Sequence, residues 1–193
     1  EPGPPEEGLT GRWTLDEGDG AQAGEAAGRV PPAAWKGPGA PEWTDGRLGR
    51  AVRFDGKGGH FDGGAAGDFD TADAFSAGAW VWWEGGVGTV VARMHEAQGH
   101  RGWNILVGAE GKIQFHVIHD WPANAVAGAT RATIPQKTWT HVMLTWNGGG
   151  KAAGLAIFGN GAAQPLDVAN DNLTGTTRTE VPLHIGLRPA GTP

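Results

Sequence analysis

The sequence predicts an all-β protein, a sandwich of two antiparallel sheets, and three observations carry that reading. Phe75-Ser-Ala-Gly-Ala-Trp-Val-Trp-Trp83 alternates with strand period. Phe75, Ala77, Ala79, Val81 and Trp83 share one face, and Ser76, Gly78, Trp80 and Trp82 share the other. A helix would scatter the indoles around a cylinder and hold Gly78 in its interior at a cost of about 1 kcal/mol. Second, 35 Gly and 13 Pro among 193 residues are spread along the chain, with neither a collagen period nor a Gly/Ser linker. That distribution suits many short strands joined by tight turns. Third, no amphipathic helix of three turns and no fixed-period repeat can be drawn anywhere. Because Phe75–Trp83 is apolar on both faces, it is expected as a central strand between two layers.

The other elements follow in order. Residues 1–8 read as a linker end, since three prolines in five residues favour extended, unpaired chain. A single domain is expected over residues 9–193. Leu9–Leu15 is predicted as a first strand anchored by Trp13 and Leu15, and Asp16–Gly20 breaks it. Ala21–Thr44, rich in Ala, Gly and Pro, reads as a long irregular segment. Strands are predicted at Arg50–Asp55, Val87–Met94, Trp103–Val107, Lys112–His119, Trp139–Trp146, Leu155–Gly159 and Val181–Ile185, with Asp55–Gly59 a turn that His60–Asp62 leads out of. Ala109–Gly111, Asn147–Gly150 and Gly159–Gly161 are turns, the last two needing positive φ. In Lys112–His119, Ile113, Phe115, Val117 and His119 fall on one face, and Gln114, His116 and Ile118 on the other. Trp121-Pro122 then stops the strand, because Pro cannot donate to a ladder.

Composition narrows function. Ten Trp with no Tyr supply a sandwich core with indoles left over for a binding surface. A net charge of −6 with no basic stripe argues against a nucleic-acid surface. The absence of Cys excludes disulfides, thiolate zinc sites, Cys nucleophiles and covalent haem attachment in this chain. No apolar run approaches the ~20 residues of a membrane-spanning helix.

Several blocks together carry a family resemblance. Leu9–Gly20, Gly49–Gly56 and Phe75–Val81 resemble the opening half of a laminin-G-like domain, and Trp139–Gly148 with Leu155–Gly161 its closing half. The match spans roughly residues 9–187. The resemblance implies the concanavalin A-like jelly roll, two antiparallel sheets of which one is concave. Trp13, Trp80, Trp139 and Trp146 sit where this family packs its core. Val91–Met94, Arg101–Trp103, His116–Ala125 and Asp171–Gly186 are similar to the laminin-G-like module inside large planctomycete proteins that also carry cytochrome c-type domains. That narrower likeness implies an extracytoplasmic module whose neighbours are other domains of a parent protein. The family's usual last strand, of the type Ile-Asp-Asp-Val-Arg-Ile, has no counterpart before Pro193, so an open sheet edge is expected.

The chemistry reads as binding. Glycoside hydrolases on this fold place closely spaced acids on one strand in a Glu-x-Asp-x-Glu pattern, and no strand here has it. His95-Glu-Ala-Gln-Gly-His100 holds one residue too many for a zincin helix. Trp121, His119, Asp120 and Asn124 gather near one strand end, Arg93 and His95 end another, and Trp103 begins the next. A flat indole stacks on the C–H face of a pyranose while planar amides, carboxylates and guanidinium read its hydroxyls. Arg93, His95, Trp103, His119, Trp121 and Asn124 are the candidate glycan site, and an exposed Trp82 would extend its platform. For a structural calcium, Asp68, Asp70 and Asp73 are the candidate ligands, with Asp16, Glu17, Asp19 and Glu25 forming a second acidic loop. The reading is a non-catalytic carbohydrate-binding module. Its rivals are a structural or protein-interaction module and a degenerate glycan-active enzyme.

Overall fold

The pattern Trp139-Thr-His-Val-Met-Leu-Thr-Trp146 settles the layering. Thr140, Val142, Leu144 and Trp146 are buried, while Trp139, His141, Met143 and Thr145 are only partly so. In the computed structural model, which describes residues 7–188, the inward set packs against Ile105, Ile113, Phe115, Val117 and Val126 from a second sheet. Burying each such side chain is worth roughly 1.5–3 kcal/mol.

The strands in chain order are β1 (Gln22–Ala23), β2 (Ala33–Lys36), β3 (Glu42–Asp45), β4 (Arg50–Arg53), β5 (His60–Asp62), β6 (Phe75–Trp82), β7 (Gly88–His95) and β8 (Arg101–Val107). They continue as β9 (Lys112–Asp120), β10 (Asn124–Thr133), β11 (Trp139–Trp146), β12 (Leu155–Gly159), β13 (Ala162–Ala163), β14 (Leu166–Asp171) and β15 (His184–Ile185). Among the described residues, one sheet has nine strands in the order β1-β2-β5-β15-β7-β8-β9-β10-β14, and the facing sheet has four, β13-β12-β11-β6. β3 and β4 form a separate two-stranded ribbon. Every paired neighbour is antiparallel, as the sandwich reading requires. A smaller cluster around Phe61, Ala23 and Ala33, with Trp35, Trp43 and Phe54 against it, seals the β1–β5 end.

Five expectations are corrected. Leu9–Leu15 forms no strand; only Trp13 makes an isolated bridge, to Glu25, and the segment is pinned instead by the Arg12 N–H donating to Glu25 Oε1 at 2.7 Å. The irregular stretch 21–44 contains β1, β2 and β3, short pairings that Ala, Gly and Pro content hides. β10, the ten-residue strand Asn124–Thr133, and β14 were not foreseen. β10 is made of Ala, Gly and Thr, whose small side chains let it lie between β9 and β14 without a strong β signature. β6 is not sandwiched on both faces. It edges the four-stranded sheet, so Ser76, Gly78, Trp80 and Trp82 face outward, and Trp80 and Trp82 are 44% and 45% exposed. Trp80 is therefore not a core residue. Lastly, Val181–Ile185 pairs only through His184–Ile185, but that short strand lies inside the large sheet, between β5 and β7. Most of the expected linker end, residues 1–6, and the last residues before Pro193 lie outside the described residues.

Candidate functional site

In β8 and β9, Trp103, Ile105, Val107 and Ile113, Phe115, Val117 point into the core. The alternate positions are thereby forced onto the outer face of the nine-stranded sheet. Register places Asp62, His184, Ala92, Asn104, His116, Ala127 and Asn170 in one row across seven strands. The neighbouring row is Met94, Gly102, Ile118 and Ala125. The small residues keep both rows low. At Gly102, whose φ is +129°, a Cβ would collide with the Arg93 carbonyl and the Met94 Cα.

Over these rows lies a groove of about 300 Å³. Met94, Leu106 and Ile118 form its apolar part, and Gln114, His116, His100, Arg188 and Trp121 bring polar and aromatic groups to it. None of its lining residues is a carboxylate. His116 contacts Asn104, which is fully buried, through Nδ1 and Oδ1 at 2.8 Å. A carbonyl oxygen can only accept, so Nδ1 carries the proton and Nε2 is left as an acceptor. Burial, reinforced by the charges of Arg188 and His100, lowers the His116 pKa to about 4, so the ring is neutral at neutral pH. Arg188 is held by Glu96, its Nε donating to Oε1 at 2.6 Å. Trp121 is 38% exposed and stands edge-on to His116, with ring centroids 5.6 Å apart. The turn carrying Trp121 is fastened twice: its N–H donates to Gly99 O at 2.8 Å, and Asn170 Nδ2 donates to Pro122 O at 3.1 Å.

Of the six sequence-predicted site residues, the structure brings only Trp121 to this groove. Arg93 and Trp103 are register partners, and both turn to the core side. Trp103 is 3% exposed, packs on Phe69 and Phe75, and donates its indole N–H to Gly67 O at 2.8 Å. Arg93 is 6% exposed and donates to the carbonyls of Gly64, Ala66 and Thr179, with Asp68 3.4 Å away. Both side chains are buried and hydrogen-bonded on the core side of the sheet, away from the groove. His119 contacts Thr176 O through Nδ1 at 2.8 Å, with its ring against Gly175, whose missing Cβ makes the room. Asn124 donates to Thr174 Oγ1 and accepts from the N–H groups of Thr174 and Gly175. Both side chains fasten the 174–176 loop. His95 ends β7 opposite Arg101 and does not line the groove. Sequence reasoning missed Gln114, His116, His100 and Arg188. The alternate face of β9 was legible for the first two, but nothing local marked it as the outer one.

The carboxylates of the acidic loop are met by protein donors. Asp68 faces Arg93, Asp70 Oδ1 accepts from the N–H groups of Thr71 and Thr177, and Asp73 Oδ2 accepts from the Asp70 N–H. Arg178 lies 3.9 Å from Asp70 and 3.6 Å from Asp73. Desolvation pushes the Asp70 carboxyl upward, but Thr176, the Thr71 and Thr177 N–H groups and Arg178 outweigh it, and the pKa falls below its ordinary value. In the other acidic loop, desolvation of Glu25 is likewise overcome by the N–H groups of Ala27, Arg29, Arg12 and Val30, which lower its pKa to about 2. These carboxylates already have donors. Among the described residues, no three His, Asp or Glu side chains are grouped to hold a metal ion.

No curated protein matches the chain. A laminin-G family model, described as the concanavalin A-like lectin/glucanases superfamily, matches residues 54–193. The match begins at Phe54, so the opening block Leu9–Gly20 lies outside it, while the strands that build the groove all lie within it. With its sheets, register and core as described, the chain belongs to the concanavalin A-like lectin/glucanase superfamily.

Proposed function

We propose that this domain is a non-catalytic carbohydrate-binding module that takes a glycan in the groove on the outer face of the nine-stranded sheet. The observation that carries the reading is the pairing of a partly exposed Trp121 with the neutral His116 beside Gln114, His100 and Arg188. The indole offers a stacking face for a pyranose. His116 Nε2 accepts from a hydroxyl, the Gln114 amide donates or accepts, and the Arg188 guanidinium donates in fixed directions. Glycosidic cleavage needs two carboxyl groups about 5–9.5 Å apart. The groove lining supplies neither, which supports binding over hydrolysis.

In this reading the domain works outside the cytoplasm as part of a larger protein. The family membership and the narrower resemblance to modules of cytochrome-carrying proteins support that placement. The test is a screen against soluble glycans and insoluble polysaccharides, with and without calcium, comparing wild type with Trp121→Ala. Binding that Trp121→Ala weakens at least about tenfold with folding intact supports the module. Failure to bind any polysaccharide at high protein concentration overturns it.

A further inference from the structure

The outer face of the other sheet, on the opposite side of the sandwich, carries an aromatic strip that the groove does not use. Trp80 and Trp82 are exposed side by side on β6. β11 places His141 directly opposite Trp80 and Trp139 directly opposite Trp82. The ring centroids are 5.3 Å and 5.8 Å apart, at interplanar angles of 58° and 57°. Each exposed indole is therefore braced by a ring on the next strand. Being two residues apart on one strand, Trp80 and Trp82 stand about 7 Å apart along it, comparable with the length of one pyranose unit.

Five of the packing tryptophans use their indole N–H groups within the protein, whereas that of Trp13 is buried without a partner among the described residues. Those of Trp35, Trp43, Trp83, Trp103 and Trp146 donate to backbone carbonyls. Those of Trp80, Trp82 and Trp139 make no hydrogen bond among the described residues. They are donors at a wet surface beside apolar faces, which is the combination a sugar hydroxyl and its C–H face require.

The charges around the strip cancel. Glu84, the next outward position after Trp82, is paired with Arg53 at 2.9 Å, and Arg53 also faces Glu42 at 3.4 Å. Arg47 stands with its guanidinium carbon 5.0 Å from the Trp80 ring centroid, where the ring quadrupole attracts it. Such a surface favours an uncharged ligand. A second copy of this chain is disfavoured, because each copy carries a net charge of −6 and would repel the other.

We infer that Trp80 and Trp82, braced by Trp139 and His141, form a second glycan-binding platform, for the flat faces of a neutral polysaccharide chain, on the side of the sandwich opposite the groove. It is independent of the groove. Two sites facing apart would let one domain hold two chains, or bridge two surfaces.

The test uses the full chain and insoluble β-1,4-glucan particles as probe, with the soluble hexasaccharide followed by the NMR signals of the indole N–H groups. Trp80→Thr with Trp82→Thr keeps β-branched residues on the strand, so β6 is retained. A thermal melt checks folding, and a single Trp82→Tyr variant, which keeps an aromatic ring, serves if the double variant unfolds. The expected result is about tenfold weaker particle binding in the double variant, near-wild-type binding in Trp82→Tyr, and shifts of the Trp80 and Trp82 indole signals on titration. Unchanged particle binding in the double variant, with loss only in Trp121→Ala, overturns the second platform and leaves the groove standing. Loss in the double variant with none in Trp121→Ala supports the platform and removes the groove. A wild-type dimer that the double variant dissolves in sedimentation overturns it in favour of a self-association face.

Discussion

His116 Nδ1 donates to Asn104 Oδ1 at 2.8 Å between two directly opposed positions of β8 and β9. The amide lies entirely below the surface, and the imidazole forms part of the groove above it. The buried residue thus chooses the tautomer that the groove presents. Asn104→Ala leaves the His116 N–H without its buried acceptor, at a cost of about 1–3 kcal/mol. It also frees the ring to present N–H where the wild type presents a lone pair. Denaturant unfolding and glycan binding should therefore both change, whereas Asn104→Asp should keep the fold and raise the His116 pKa, measurable by NMR titration.

The lowered His116 pKa makes stability depend on pH. The folded value is about 4, against an ordinary 6.5. Between those values the unfolded chain binds more protons than the folded one, so stability rises with pH there. The contribution is fully present above about pH 6.5 and is lost as pH falls toward 4, by on the order of 2–3 kcal/mol. His116→Gln, which keeps a donor for Asn104, should flatten the stability curve over that window. An equal slope in wild type and variant would contradict the assignment.

Arg93 is predicted to matter for folding and not for ligand. It ties the carbonyls of Gly64 and Ala66 to that of Thr179, joining segments far apart in the chain. Arg93→Met should destabilise by at least about 2 kcal/mol, because buried carbonyls lose their donors. The affinity of the folded fraction for glycan should not change. A specific loss of affinity would return Arg93 to the site.

Chelation should leave the melting temperature unchanged, because the acidic loop is held by backbone N–H groups and Arg178. Asp70→Ala, by contrast, removes the link between Asp70 and Thr177 and should lower the melting temperature with or without calcium. A rise in melting temperature on adding calcium, abolished by Asp70→Ala, would show a cation site there.

Gly102→Ala should be among the most damaging single changes. A Cβ at that position meets the Arg93 carbonyl and the Met94 Cα, and the backbone φ of +129° already excludes ordinary residues. Circular dichroism of the variant should show partial or complete unfolding. A well-folded Gly102→Ala would mean that the β7–β8 pair can shift, and the groove with it.

What the sequence determined by itself was periodicity. Alternation in Phe75–Trp82, Lys112–His119 and Trp139–Trp146 named the strands, their faces and the all-β class, because side chains on a strand must point to opposite sides. Turn chemistry found the 109–111 hairpin, and an indole before proline found the end of β9 and the one predicted site residue that reaches the groove. Only the tertiary structure decided which face of each strand met the other sheet. The same alternation permits Trp103 or Asn104, His119 or His116, and Trp80 or Val81 to face inward. Proximity at strand ends therefore suggested Arg93, Trp103, His119 and Asn124, four residues that packing assigned to the core and to loop anchoring. The small-residue strand β10 was invisible for the same reason. Its place comes from pairing with β9 and β14, a long-range fact that no local propensity encodes.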